Sequence, residues 1–289
     1  MPVQAQNNKQ FWLASLHGEL PTVTALIENG ANVNSCNDAG CSSLHIASRN
    51  GHLPVVNVLI AARAVVDRVD TGGFTALMAA AFGGHEAIVD ALRVAGGSVH
   101  HVNHQGYTSI HIAAQQGHLG TMRYLLRAGV NPNVETTHGI GGTPLRLASA
   151  NGHLPAVQAL IEASANVNYI GSDEATSLML AAEKGHIEVV RALLAAGTNV
   201  NQVNHLGASS LMLAAEFGSI EIVRALLAAN ADPRIVSRKG HTALSLAIVY
   251  NQHAIADLLE ARLMKVPIGN RLVSPPVRLA ETPIDPIVC

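Results

Sequence analysis

Hydrophobic residues recur along this chain with a period of 33 residues. In each period an alanine is followed by a leucine twelve residues later, and in most periods a glycine stands four residues after the alanine. The alanines are Ala14, Ala47, Ala80, Ala113, Ala148, Ala181, Ala214 and Ala247, and the leucines are Leu26, Leu59, Leu92, Leu125, Leu160, Leu193, Leu226 and Leu259. A fixed period of this length is typical of stacked units that bury their apolar faces against one another.

Each period predicts two short helices with a tight turn between them. In the segment 209–229, Ser209 can cap a first helix, and Gly218 permits the left-handed backbone that ends it. The apolar residues of Ile220–Leu227 then line one face of a second helix. The capping place holds Ser42, Thr75, Thr108, Thr143, Thr176, Ser209 and Thr242. A glycine or a substitute is predicted to end the second helix at Gly30, Arg63, Gly96, Gly129, Ser164, Gly197 and Asn230.

These motifs resemble the ankyrin repeat over roughly residues 7–265. The family's T-P-L-H signature corresponds to Thr143-Pro144-Leu145-Arg146, and the histidine after the turn glycine is present at His52, His85, His118, His153 and His186. The resemblance implies an all-α solenoid of about eight helix-turn-helix units with projecting β-hairpin fingers. We expect residues 1–6 to be an N-terminal extension, 7–265 a domain of eight repeats including caps, and 266–289 a Pro-rich, irregular tail.

One step of the repeat departs from the period. Gly117 and Gly152 are 35 residues apart, and the two extra residues fall in the finger Glu135–Gly142. Loop tips accept insertions at small cost, so a tolerated surface insertion is the first interpretation. A protrusion that serves one particular partner is the alternative.

Charge and cysteine content exclude several functional classes. The net charge is −2, which does not favour nucleic acid or anionic lipid as a partner. The three cysteines are too few and too irregular for a disulfide scaffold, and no apolar stretch is long enough to span a membrane. We therefore expect an intracellular, cytoplasmic monomer, with the nucleus or secretion as an effector left open.

The histidines are the residues that could most easily be mistaken for a metal site. The resemblance implies that most of the 15 hydrogen-bond within and between repeats, including His45 and His111 in the T-P-L-H place. His100, His101 and His104 share one finger, but neighbouring residues of a strand point to opposite faces, so a metal site is not expected. No catalytic motif occurs along the chain. We expect no enzymatic activity, no cofactor and no metal.

The family's binding residues lie at the finger tips and at the two positions before each turn glycine. We call this set the predicted binding surface. It contains Arg49, Phe74, Phe82, His104, Tyr107, Gln115, Gln116, Glu183, Lys184, His205, Glu216, Phe217 and Tyr250. Five of the nine aromatic residues fall on it, and exposed aromatics are typical of binding hot spots.

Phe74, Phe82 and Tyr107 are predicted to be neighbours and to act as anchors of that surface. The alternative interpretation is that these rings pack against adjacent helices or cover the bases of their fingers. The predicted function is that of a non-enzymatic scaffold or adaptor that binds a partner protein. A regulatory subunit of an enzyme and a microbial effector that targets host proteins are the alternatives.

Overall fold

The structure, a computed structural model, describes residues 2–137 and 142–265. Its described part contains sixteen α-helices and no strand longer than an isolated bridge, which confirms the predicted all-helical fold. The helices are α1 (Pro2–His17), α2 (Leu20–Glu28), α3 (Ser43–Arg49), α4 (Leu53–Ala61), α5 (Ala76–Gly83), α6 (Glu86–Val94), α7 (Ser109–Gln116), α8 (Leu119–Arg127), α9 (Pro144–Ala150), α10 (Leu154–Glu162), α11 (Ser177–Glu183), α12 (Ile187–Ala195), α13 (Ser210–Glu216), α14 (Ile220–Ala228), α15 (Ala243–Val249) and α16 (His253–Lys265).

The helices belong to two compact units, which divide between Asn166 and Val167. In the first unit, α1, α3, α5, α7 and α9 pack in one row, and α2, α4, α6, α8 and α10 pack in a second. In the second unit, α11, α13 and α15 form one row and α12, α14 and α16 the other. The periodic alanines and leucines fill the interior, where Ala80 and Leu92 are fully buried. Small alanines let neighbouring helices approach closely.

The predicted helix starts are confirmed. Thr75 caps α5, because its Oγ1 accepts a hydrogen bond from the Met78 N–H at 3.3 Å. Thr143, Thr176, Ser209 and Thr242 cap their helices through the corresponding bond. These bonds satisfy backbone N–H groups that have no partner inside the helix.

The predicted helix ends are confirmed as well. Gly84 has φ +77° after α5, and Asn251 takes the same left-handed conformation with φ +56° where the glycine is missing. The residues that end the second helix of each repeat also have a left-handed backbone, and they include the non-glycine residues Arg63, Ser164 and Asn230. A side chain other than glycine or asparagine is strained in this region, so Arg63 at φ +64° is an unfavourable choice.

Replacing Arg63 by glycine is therefore expected to stabilise the protein by about 0.5–1 kcal/mol. Arg63 is exposed, and a Cβ at the equivalent Gly96 would have no atom within 4 Å, so little packing is lost. Urea unfolding measured by circular dichroism gives the change. Arg63→Ala is the matched control, since it removes the same side chain but keeps the Cβ. Equal stability of the two variants would contradict the backbone explanation.

The fingers are smaller than the predicted β-hairpins. Each of three fingers is closed by one antiparallel bridge: Cys36 to Ser42, Val69 to Thr75, and Val203 to Ser209. An Asp or Asn side chain fixes the turn instead of a longer ladder. The Asp70 Oδ1 accepts hydrogen bonds from the N–H groups of Gly72 and Phe74 at 2.8 and 2.9 Å. Such a turn needs few residues, and the fingers contain no regular strand in the part that the structure describes.

Backbone hydrogen bonds join successive fingers within each unit. In the first unit, the Thr71 N–H donates to the Ala39 carbonyl at 3.0 Å, and the His104 N–H donates to the Gly72 carbonyl at 3.1 Å. In the second unit, the Arg238 N–H donates to the Leu206 carbonyl at 2.9 Å. Each finger is thus held by its neighbour as well as by its own turn.

Two predictions fall outside the described residues. They concern the tail 266–289 and the inserted finger tip at residues 138–141. The base of that finger is described, and the Thr136 Oγ1 accepts a hydrogen bond from the Gly142 N–H at 2.8 Å. Helix α1 already begins at Pro2. The proposed domain boundaries stay a prediction.

Candidate functional site

Histidines fix the backbone of the predicted binding surface in the first unit. The Nε2 of His85 is 3.1 Å from the Arg49 carbonyl, and that of His118 is 2.9 Å from the Phe82 carbonyl. His153 makes the same bond to Gln115 at 2.9 Å. A carbonyl only accepts, so each Nε2 carries the proton and donates. The histidine of one repeat therefore holds the binding position of the repeat before it.

Arg49 and Phe82 form a cation–π pair at the centre of this region. The guanidinium carbon of Arg49 lies 4.6 Å from the centroid of the Phe82 ring, which is within the range of this interaction. Both side chains are exposed, Phe82 at 37%. Gly83 lets its backbone lie close to that of Arg49, because a Cβ at residue 83 would collide with the Arg49 carbonyl oxygen and the His85 ring. We refer to these two side chains as the Arg49–Phe82 pair.

The sequence did not reveal this pairing, although it assigned both residues to one surface. The signal that could have shown it is the Gly83-Gly84 doublet, which occurs at no other turn of this kind. Only Gly84 is explained by the turn, whose φ is +77°. The second glycine implied a close approach by a neighbouring repeat.

The finger residues of the first unit make contacts of their own. The Tyr107 ring packs edge to face against His111, with centroids 5.9 Å apart, and no described ring contact joins Tyr107, Phe74 and Phe82. That Phe74, Phe82 and Tyr107 are neighbours and anchor one surface stays a prediction. Tyr107 and Phe74 are half-buried, and their backbone N–H groups donate to the Asn103 and Asp70 side chains of the finger turns, whereas His104 is exposed.

Gln115 and Gln116 lie one repeat further along in the first unit. Gln115 is half-buried and Gln116 is exposed. Uncharged amides thus flank the Arg49–Phe82 pair, and they offer both donors and acceptors.

In the second unit the structure corrects two predicted surface residues. Glu183 is 5% exposed and Glu216 is 4% exposed, so neither presents its side chain to a partner. In the repeat register, the place that Gly83 takes after Arg49 is taken by Phe217 after Glu183 and by Tyr250 after Glu216.

Other predicted residues of the second unit remain accessible to different extents. Lys184 is exposed and forms a salt bridge of 2.6 Å with Glu183. Phe217 is 45% exposed. His205 and Tyr250 are half-buried, and the His205 Nδ1 is 2.8 Å from the Asp173 carbonyl.

The T-P-L-H histidines are buried and neutral. His111 is fully buried; its Nδ1 accepts a hydrogen bond from the Thr108 N–H at 3.2 Å, and its Nε2 lies 3.0 Å from the Val134 carbonyl in the next finger. Burial lowers the pKa of His111 to about 4. Burial also lowers the pKa of His45, whose Nε2 bonds to the Phe74 carbonyl at 2.9 Å. These rings connect first helices to fingers, as expected of scaffold residues.

The clustered finger histidines do not converge. The His101 Nε2 lies 3.0 Å from the Gly73 carbonyl, so it serves the contact between fingers. Residues 2–137 and 142–265 contain no group of three or more side chains that could hold a metal ion. His138 lies outside these ranges.

Among the clefts of the described residues, one lies in the first unit and another in the second. The first, of about 460 Å³, is lined by Asn8, Lys9, Trp12, Ser35, Cys36, Asn37 and Asp38. The Cys36 Sγ contacts the Asn34 carbonyl at 3.6 Å, and no described bond joins it to Lys9 or Asp38. The second, of about 330 Å³, lies between α14 and α16 and includes Arg224 and Arg262. Neither has the hydrogen-bonded nucleophile and base that covalent catalysis uses.

Comparison with known proteins agrees with this architecture. The sequence matches a family whose description is "Ankyrin repeats (3 copies)". The matched ranges overlap and are residues 11–98, 65–136, 84–170, 110–204 and 178–264. Among solved structures, the human ASB11 ankyrin repeat domain is similar, with 32% identity and a TM-score of 0.70 over 77% of this chain and 98% of that chain. No curated protein matches the sequence.

The chain belongs to the ankyrin-repeat family. Ankyrin repeats are generally protein-interaction modules and are typically non-catalytic. No described helix combines the length and the apolar character needed to cross a bilayer.

Proposed function

We propose that this protein is a non-enzymatic scaffold or adaptor that binds a partner protein through the first unit. The Arg49–Phe82 pair is the centre of the interface, with Gln115 and Gln116 beside it and His104 on the finger side. The exposed ring of Phe82, which is held by an arginine rather than buried, carries this proposal.

The rigid mounting of the pair supports this function. The backbone at Arg49 and Phe82 is fixed by His85 and His118. A preformed surface loses little conformational entropy on binding, so more of the contact energy appears as affinity. Aromatic and arginine side chains are also those most often found at interface hot spots.

We place the protein in a reducing compartment and propose that it acts as a monomer. Cys36 and Cys41 are both free thiols, and Cys36 is exposed. An exposed free thiol persists more readily where disulfides are kept reduced.

A partner capture experiment tests the binding proposal. The tagged full chain is incubated with extract of the source organism, and the bound proteins are quantified by mass spectrometry. Phe82→Ala is expected to reduce capture of the specific partner at least about tenfold, the loss typical of a hot-spot residue.

The matched control is Val94→Ala. Val94 ends α6 and is 72% exposed, so its replacement also removes an exposed apolar side chain. Because α6 is the second helix of its repeat, Val94 lies outside the proposed interface. Circular dichroism should show unchanged helix content in both variants. Equal capture by the wild type and Phe82→Ala would contradict the proposed interface.

A further inference from the structure

We infer that the Arg49–Phe82 pair recognises a partner segment in which a carboxylate lies next to an apolar side chain. This inference rests on the proposed function and specifies the chemistry of the partner. Arg49 binds the carboxylate, and the exposed Phe82 ring packs against the apolar neighbour.

The first argument is the geometry of Arg49. Its guanidinium stacks over the Phe82 ring at 4.6 Å, and within the described residues it forms no salt bridge. A planar guanidinium held by an aromatic face keeps its N–H donors in one plane, which matches the two oxygens of a carboxylate. The exposed arginines Arg93 and Arg127, by contrast, already have carboxylate partners on the second helices.

The second argument is that the nearby acidic group is occupied. Asp70 lies in the adjoining finger, where its Oδ1 accepts two backbone N–H bonds and its Oδ2 is 3.7 Å from the Cys41 Sγ. These bonds fix the Asp70 carboxylate in its own finger. The charge of Arg49 therefore remains available to an anion from another molecule.

The third argument is the charge pattern of the first unit's helix ends. The positions before the turn glycines that follow α3, α5, α7 and α9 are Arg49, Asn50, Phe82, Gly83, Gln115, Gln116, Ala150 and Asn151. Arg49 is the one charged residue among them. A single cation among neutral polar and apolar groups fits one carboxylate in a mixed peptide, whereas a nucleic acid needs several cations along a stripe.

A random-peptide library displayed on phage tests this inference. The library is selected in parallel on the immobilised full chain and on its Phe82→Ala and Arg49→Gln variants. Peptides that bind the wild type are expected to be enriched in Asp or Glu adjacent to an apolar residue. Arg49→Gln should remove the acidic enrichment.

Affinities of synthetic peptides give the second readout. An enriched acidic peptide is compared with its amide isostere, in which Gln replaces Glu and Asn replaces Asp. Arg49→Gln should weaken binding of the acidic peptide at least about tenfold and leave the isostere unchanged, because this variant cannot form charge-assisted hydrogen bonds to a carboxylate. Arg49→Lys should recover only part of the affinity, since it keeps the charge but not the planar fork.

Arg123→Gln is the charge-matched control. Arg123 is an exposed arginine of α8, so its replacement changes the net charge equally and should leave peptide affinity unchanged. Peptides that depend on Phe82 but show no acidic excess would overturn the carboxylate inference and leave the proposed function standing. Peptides that depend on neither Phe82 nor Arg49 would overturn both.

Discussion

Acidification is expected to weaken the fold between pH 6.5 and about 4, and the neutral, buried His111 is expected to cause much of this loss. Burial lowers the pKa of His111 from 6.5 to about 4. A tenfold change in proton affinity is worth about 1.4 kcal/mol, so the full contribution is about 3 kcal/mol.

The direction follows from the two protonation states. In the unfolded chain His111 binds a proton below pH 6.5, whereas the folded protein resists protonation until about pH 4. The unfolded state therefore binds more protons within this window, and the free energy of unfolding falls as the pH falls. Protonated Nδ1 could no longer accept the Thr108 N–H, so the cap of α7 would be lost. His45, whose pKa is also lowered, acts in the same direction.

Urea unfolding at several pH values measures this effect. Carboxylates titrate in part of the same range, so the comparison is between the wild type and His111→Gln, which cannot be protonated there. The stability difference between them should shrink as the pH is lowered from 7.5 to about 4. His17→Gln, an exposed position at the end of α1, is the control and should follow the wild type. Parallel curves for the wild type and His111→Gln would contradict the prediction.

Replacement of Gly84 by alanine is expected to destabilise the protein by about 2–4 kcal/mol. Two effects add. The backbone at Gly84 has φ +77°, which strains any residue with a Cβ, and the new Cβ would lie 2.6 Å from the His118 Nδ1. The ring would have to move and would weaken its 2.9 Å bond to the Phe82 carbonyl.

Two comparisons separate these effects. Gly96→Ala has the same kind of backbone, with φ +97°, but no atom lies within 4 Å of its Cβ, so it should cost only about 1 kcal/mol. In a His118→Ala background, Gly84→Ala should also fall to about that value, because the ring it collides with is absent. Urea unfolding of the wild type, the three single variants and the double variant gives these free energies. Equal costs for Gly84→Ala and Gly96→Ala would show that the ring contact is unimportant.

The fold could be predicted in detail from the sequence. Capping by Thr75 and chain reversal at Gly84 depend on residues only a few positions apart, and both are confirmed. The finger prediction was less accurate. Turns fixed by side chains such as Asp70 replace most of the ladder that a β-hairpin would have, and hydrophobic periodicity carries no information about that choice.

The candidate site could be predicted only as a set of positions. Exposure at each position depends on three-dimensional packing, because Arg49 is exposed whereas Glu183 and Glu216 are buried in the same place of their repeats. Gly83 follows Arg49 in the repeat register, whereas Phe217 and Tyr250 take the corresponding places after Glu183 and Glu216. The pairing of Arg49 with Phe82, and of Tyr107 with His111, likewise required three-dimensional contacts.

By itself, the sequence determined the repeat, the helix caps, the turns and the scaffold role of most histidines. These features arise from short-range backbone geometry and from a period that recurs in every unit. Only the tertiary structure decided which side chains of the predicted binding surface are accessible and which are paired. Those properties arise where consecutive repeats meet, because the contacts there join residues of different repeats that are far apart in the sequence.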